Sequence, residues 1–368
     1  MDEIGNQRKK KILILTNHSY MLYRFRRELI EELAKSCEVS LRMPYRGHEE
    51  DFMAMGLDCQ ETDFERRGMN PVKDLQLLRT YQQILREVRP DLVITYSIKP
   101  NVYGGLACAL AGIPYCINVQ GLGTAFQKPG IAQMVTAMYR IACRKAKTVF
   151  FENAGNVQVF LDRHILKTGK VCLLPGAGIN LDEYPLKPYP EHDRFHFLYL
   201  GRIMEEKGVS ELFEAAHRLH ERLGDQVVLD VVGFCEDDYM PRIEELQEEG
   251  TVVFHGFQSN PNPYYEATDC VVLPSYHEGM SNVLLEAAAT GRPVITSDIH
   301  GCLEAVDVEK TGMLCQVRDA DSLYDQMLRM TQLSRRERER MGYEGRKKME
   351  AEFDKKLVVE RTVKTIFE

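Results

Sequence analysis

The chain has 368 residues, 44% hydrophobic and 28% charged, with no Trp. That length predicts about two domains at ~150 residues each, and the apolar fraction excludes a polar, low-complexity chain. A formal net charge of −8 excludes a dedicated polyanion binder, so no nucleic acid partner is expected.

Short runs rich in Val, Ile and Leu alternate with longer amphipathic stretches. The opening MDEIGNQRKKK has no apolar region behind a cleavage site, and the ILIL that follows is far too short for a signal peptide. KILILT at 11–16 predicts a strand, and 23–35 a helix with apolar residues at three-to-four spacing. Residues 37–43 and 57–62 read as strands, and 71–90 as a helix with Pro near its start and Pro just past its end. A strand at 91–96, a helix at 102–112 and a strand at 115–119 follow, then a helix at 131–145 and strands at 148–151 and 171–175.

Pro100 to Gln127 carries no charge, and length alone would admit a membrane span. Gly104, Gly105, Gly112, Pro114, Asn118, Gln120, Gly121 and Gly123 break it. It reads as helix, turn, strand and glycine loop, and the protein is expected to be soluble.

Between Gly178 and Phe195 the pattern stops. Pro185, Pro188 and Pro190 with mixed charges make this the linker candidate. Alternation then restarts: strands at 195–201, 226–233, 251–257, 270–275 and 293–298, with a helix at 208–224 and another between the last two strands. From about 320 the tail reads as helices. Strand–helix alternation indicates parallel sheets covered on both faces, hence an α/β chain of two doubly wound domains. The expected division is 1–180 and 193–352, with a last helix at 354–368 crossing back to the first. Each domain would bind ligand at the carboxyl ends of its strands, with the active site in a cleft between them.

The ten Cys are scattered, with no CxxC pair and no zinc-type spacing. Most lie in apolar surroundings, which fits a reducing cytosol. There is no Walker A, no GxSxG and no GxGxxG after the first strand. The single DxD, Asp319–Asp321, precedes a helix and reads as dipole compensation, not as a metal site.

The informative segment is EGMSNVLLEAAATGRPVITSDIHGCLE, 278–304. Gly279 lets backbone approach a ligand. Ser281 and Asn282 are N-cap types before a helix closed by Gly291. A helix N-terminus at the carboxyl end of a parallel strand is an anion site, and Glu278 and Glu286 bracket it with carboxylates suited to sugar hydroxyls. The plainer reading is a loop acid and a helix acid. A second signal is GRIMEEKG, 201–208. Arg202 and Lys207 lie in a strand-to-helix loop on the same rim, where two cations could neutralise a diphosphate. Their plainer reading is surface charge, since Glu205 and Glu206 sit between them. A nucleoside diphosphate carrying a sugar would satisfy both signals.

LGRIMEEKG followed by LPSYHEGMSNVLLEAAATGRPVITSDIHGCLEAV resembles the donor domain of family 4 retaining glycosyltransferases with the GT-B fold. Glu278 and Glu286 match its E-x7-E motif. TNHSYMLYRFRRELI and NVQGLGTAF resemble, more loosely, enzymes that extend lipid-linked or capsular saccharides, such as N-acetylgalactosaminyltransferases acting on undecaprenyl-diphosphate sugars. The resemblance implies that Arg202 and Lys207 bind the donor diphosphate and offset charge on the leaving group. It implies that Glu278 contacts the donor sugar and Glu286 the ribose. Backbone amides of Met280, Ser281 and Asn282 would complete the phosphate cradle, and Gly256 and Phe257 fall at the base-binding loop. Gly121 and Gly123 would let the first domain close over the diphosphate. Gln120 stands where many members have His, so no general base is assigned.

The implied reaction is retaining transfer of a hexose or N-acetylhexosamine from a UDP-sugar to a lipid-linked saccharide, with no cofactor and no obligatory metal. The implied location is the cytoplasm, peripheral at the inner face of the membrane. On the acceptor side His18, Arg24 and Gln120 are candidates. Arg24, Arg26 and Arg27, near Lys99 and Lys128 by topology, would suit a lipid diphosphate or an anionic membrane surface, with Tyr20, Met21, Leu22, Tyr23 and Phe25 adding apolar contact. Their plainer reading is a solvated helix face. The alternatives are a GT-B UDP-sugar 2-epimerase and a non-catalytic sugar-nucleotide-binding partner in polysaccharide assembly.

Overall fold

In a computed structural model of the chain, residues 8–65, 70–122, 126 and 129–368 are described. Gly123 and Lys128, both singled out above, lie outside them. The chain divides into two compact units: one runs to Ala177 and takes in Val358–Glu368, the other is Gly178–Leu357.

Among the described residues, the first unit holds a seven-stranded sheet: β1 (Lys10–Leu15), β2 (Cys37–Met43), β3 (Asp58–Glu61), β4 (Leu92–Tyr96), β5 (Tyr115–Val119), β6 (Thr148–Phe151) and β7 (Val171–Leu173). The order is β3-β2-β1-β4-β5-β6-β7, with every pairing parallel. The apolar runs are continuous because both faces are covered. In β1, Leu13 and Leu15 enter one core with Val93, Ile117 and Phe151, while Ile12 and Ile14 enter the other with Leu41, Ile94 and Phe150.

The second unit repeats the design with β8 (Phe195–Leu200), β9 (Val227–Val232), β10 (Val252–Gly256), β11 (Cys270–Leu273), β12 (Val294–Ser297) and β13 (Gly312–Cys315). Their order is β10-β9-β8-β11-β12-β13. Both units are therefore Rossmann-like, and in each the order reverses beside the first strand: between β1 and β4, and between β8 and β11. Such a switch point leaves a crevice at the carboxyl ends of the strands, because the loops on either side depart to opposite faces.

Several elements were not expected from the sequence. β13 is a four-residue edge strand, too short to show a period. The helices Ala154–Asp162 and Met240–Glu248 also emerge. The first helix begins at Ser19, not at 23, and runs straight into β2. The Pro-rich stretch from Gly178 is packed on the second unit. Arg292, 1% exposed, donates to the carbonyls of Pro188 at 2.8 Å, Glu266 at 3.0 Å and Tyr265 at 2.8 Å. Asp319 caps the Ala320–Gln332 helix by accepting from the Ser322 amide. In the sheet interior, Asp230 of β9 accepts from His196 of β8 at 2.8 Å and from His255 of β10 at 2.7 Å.

Candidate active site

Around the loop after β8 in the second unit, two glycines allow close approaches that any side chain would block, one at the switch point with β11 and one beside β9. A Cβ on Gly208 (φ +68°) would lie 2.1 Å from the Pro274 carbonyl oxygen, and one on Gly233 (φ +154°) 1.8 Å from that of Gly201. The loop after β8 therefore touches the loop after β11, and the Tyr276 amide donates to the Glu206 carbonyl at 2.9 Å. This contact brings together side chains 71 positions apart: Lys207 Nζ donates to Glu278 Oε1 at 2.5 Å. Ser275 Oγ donates to the same oxygen at 2.8 Å. The Lys207 and Glu278 side chains are only 18% and 13% exposed, so their attraction is less screened than that of a surface pair.

Arg202 is more open and pairs with Glu236 from the loop after β9. Its carbonyl accepts from the buried Tyr199 hydroxyl at 2.6 Å. Burial first, and then the nearby Glu278 charge, push the Tyr199 hydroxyl well above its usual range, so it stays protonated and donates.

The Asn282–Thr290 helix starts from this rim. Ser281 is its N-cap, with Oγ accepting from the Leu284 amide at 3.4 Å, and Gly291 (φ +83°) closes it. The Ser281 N–H, one of three expected in a phosphate cradle, is already committed to the Gly301 carbonyl at 2.9 Å; Met280 and Asn282 are the two that remain. Gly301 permits that approach, since a Cβ there would lie 2.7 Å from the carbonyl oxygens of Glu278 and Gly279. Glu304 fixes the Gly301 segment by accepting from the Gly301 amide and from His300. Glu286, four residues into the helix, is 4% exposed and accepts from the Tyr265 hydroxyl at 2.8 Å.

On the neighbouring edge, Gly256 takes φ +65° and turns the chain outward into Phe257, which is 60% exposed. Phe234, from the loop after β9, meets it edge to face at 6.3 Å and is 48% exposed. Exposed aromatic pairs at strand ends offer a face to a planar ligand. Sequence reasoning singled out Phe257 but missed Phe234, Tyr199, Ser275, Tyr265 and Glu236. An aromatic directly after a strand-ending glycine was the one available signal, and it points to Phe234 alone.

In the first unit the candidates fare differently. His18 follows β1 as N-cap of the Ser19–Ser36 helix, with its ring edge-on to Tyr20. Beside it Ser97 Oγ donates to Asn17 Oδ1 at 2.7 Å across that unit's own switch point. Gln120 and Gly121 follow β5. The basic cluster expected at the start of the first helix is not a free basic face. Arg26 is 4% exposed and is buried against Glu152; Arg27 pairs with Glu28 and Glu31; Lys99 donates to the buried Asp74 at 3.0 Å. Tyr23 stacks on His48 and Leu22 is core. Arg24 sits over the Phe25 ring. Arg26 and Lys99 close internal charges, which the sequence could not show because their partners, Glu152 and Asp74, lie far along the chain.

Two glycosyltransferase family models match, one on each unit: "Glycosyl transferases group 1" on residues 194–332 and "Glycosyl transferase 4-like" on 11–153. The chain belongs to the glycosyltransferases with the GT-B fold. Among its relatives is the N,N'-diacetylbacillosaminyl-diphospho-undecaprenol alpha-1,3-N-acetylgalactosaminyltransferase of Campylobacter jejuni, 26% identical over 86% of this chain and 88% of that protein. Another is the UDP-Gal:alpha-D-GlcNAc-diphosphoundecaprenol alpha-1,3-galactosyltransferase of Escherichia coli, 26% identical over 72% of each. In fold the chain is similar to HepE of Anabaena, solved with UDP and glucose: TM-score 0.79, 17% identity, 98% of this chain and 100% of that one.

Proposed function

We propose that the protein is a retaining, family 4 hexosyltransferase that moves a hexose or N-acetylhexosamine from a UDP-sugar to an undecaprenyl-diphosphate-linked saccharide. It would work as a peripheral protein at the cytoplasmic face of the membrane. The observation that carries this is the Lys207–Glu278 pair at the β8–β11 switch point, in a chain whose relatives are named for such transfers.

In this reading Lys207 keeps one ammonium donor on Glu278 and turns the others to the donor's diphosphate. Arg202, with five N–H donors, forks onto the same group. The helix N-terminus at Asn282 adds its dipole. Glu278 accepts from hydroxyls of the donor sugar, and Glu286 from the ribose. Phe257 and Phe234 pack on the uracil. As the bond from the anomeric carbon to the diphosphate oxygen breaks, negative charge grows on that oxygen. Arg202 and Lys207 stabilise it more in the transition state than in the ground state. The acceptor oxygen attacks from the face the diphosphate leaves, so configuration is kept. The departing phosphate oxygen takes the acceptor's proton, and no side-chain base is needed. Two cations and a helix end already supply positive charge here, so no obligatory metal is proposed.

The test is transfer from labelled UDP-sugars to synthetic undecaprenyl-diphosphate saccharides, with EDTA in parallel and the product's anomeric configuration read by NMR. UDP-sugars, but not GDP- or ADP-sugars, should raise Tm, because a ligand that binds the native state stabilises it. An inverted product, or activity lost to EDTA and restored by metal, would refute the mechanism. Conversion of the UDP-sugar with no acceptor would point to epimerisation instead.

A further inference from the structure

The first unit carries a face that none of this uses. Between Asp91 and Glu152 the chain contains no Asp or Glu at all, yet it has Lys99, Lys128, Arg140, Arg144, Lys145 and Lys147. Within that span the Pro129–Cys143 helix turns one apolar stripe outward. Met134 and Ile141, seven residues and two turns apart, are 43% and 58% exposed, and Met138 lies between them. On the neighbouring Gly105–Ala111 helix, Leu110 is 64% exposed. The two helices meet nearby: Lys145 Nζ donates to the Ala109 carbonyl at 3.1 Å. Arg140, Arg144 and Lys145, all exposed, rim the stripe. Arg140 donates to the backbone carbonyls of Arg163 and His164, and Lys145 to that of Ala109. No Asp or Glu of their own stretch of chain stands beside them in sequence to cancel their charge. No described helix is long and apolar enough to cross a membrane.

Exposed apolar side chains beside cations, in a stretch of chain without an acidic residue, match one surface chemistry in particular: an anionic bilayer. Such a surface offers acyl chains to the stripe and phosphates to the rim. We propose that this face, with Leu110, Met134 and Ile141 at its centre and Arg140, Arg144 and Lys145 at its edge, docks the protein on anionic lipid. It replaces, as the membrane-facing surface, the start of the first helix, where Arg26 and Arg27 are paired with acids. The proposal extends the reading in which the acceptor is lipid-borne, and it is tested separately from it.

The experiment is co-sedimentation of the full chain with vesicles of phosphatidylglycerol and phosphatidylcholine, and with phosphatidylcholine alone. Binding should favour the anionic vesicles and weaken in high salt, which screens the rim. The double variant Leu110→Glu/Ile141→Glu should lower partition about tenfold or more, since each change removes apolar contact and adds repulsion. Arg144→Glu/Lys145→Glu should lower binding to anionic vesicles while leaving the weaker phosphatidylcholine binding unchanged. Both variants should keep the wild-type Tm, UDP binding and turnover on a short-chain, water-soluble acceptor. The proposal is overturned if the wild-type chain ignores anionic vesicles, or if the variants bind as it does. It is equally overturned if the variants lose only a protein partner. Should no acceptor be glycosylated while vesicle binding behaves as expected, the transferase reading fails and the docking face stands.

Discussion

Lys207 Nζ and Glu278 Oε1 lie 2.5 Å apart across the β8–β11 switch point, each on a loop that leaves the end of a different strand. The pair is also the point at which the two sequence signals of the second unit become one site. Removing either member leaves the other partly buried without its counter-charge, which costs more than the pair itself contributes. Lys207→Ala should lower kcat/KM by about 10²–10³-fold, the range for losing one donor to developing negative charge. Glu278→Gln should impair turnover too, and the double variant should fall well short of the summed losses. Initial rates with labelled donor measure this; additive losses would mean the two side chains act apart.

Glu286 answers to a different readout. Its carboxylate is buried and held by the Tyr265 hydroxyl, an arrangement that orients an acceptor of hydrogen bonds. Glu286→Gln should raise the donor KM with little change in kcat, as lost uniform binding does. Tyr265→Phe should produce a smaller rise, in line with about 1 kcal/mol for one hydrogen bond. An unchanged KM in both would remove Glu286 from the donor site.

The Phe234–Phe257 pair should matter to the nucleotide and not to the sugar. Either residue changed to Ala should weaken UDP about tenfold, within the ~1–3 kcal/mol range of base–aromatic stacking. Calorimetry with UDP and with UDP-sugar should then show equal losses for the two ligands. A larger loss for the UDP-sugar would place the rings beside the hexose.

Gly208 is required by its backbone. At φ +68° and with a Cβ reaching to 2.1 Å from the Pro274 carbonyl oxygen, Gly208→Ala must move the loops apart. The strained backbone alone costs about 1–3 kcal/mol. Thermal unfolding should show a Tm several degrees lower, with turnover lost along with the Lys207–Glu278 contact. Gly56→Ala is a control at another positive φ with no neighbour within 4 Å, and it should leave turnover intact.

Asp230 sets an acid limit. Burial works against its charged form, but hydrogen bonds from His196 and His255 outweigh it and hold the carboxyl below its ordinary range. A depressed folded pKa contributes stability that is fully present above the unfolded value, about 4, and is lost as pH falls through the folded one. Asp230→Asn should therefore be less stable than the wild-type chain at neutral pH, with the gap closing below about pH 4. Denaturant unfolding at a series of pH values checks this; a gap that widens on acidification would reverse the sign.

Sequence alone determined the alternation of strands and helices, the two doubly wound units, the loops that carry Arg202, Lys207 and Glu278, and the helix that carries Glu286. These are local properties: a continuous apolar run marks a strand covered on both faces, and a glycine or cap residue marks where a helix meets its end. Only the tertiary structure decided how charges were spent. Arg26 and Glu152, 126 positions apart, neutralise each other inside the first unit, so the middle member of a cluster that reads as a basic face belongs to an internal ion pair. Tyr265 reaches Glu286 between two helices, and Phe234 meets Phe257 beyond the paired ends of β9 and β10, contacts that the residues themselves do not announce. The outward stripe of Leu110, Met134 and Ile141 was equally hidden. An apolar residue on a helix counts as core until the fold shows that nothing covers it, because periodicity gives a side chain's direction along its own helix and not what stands opposite.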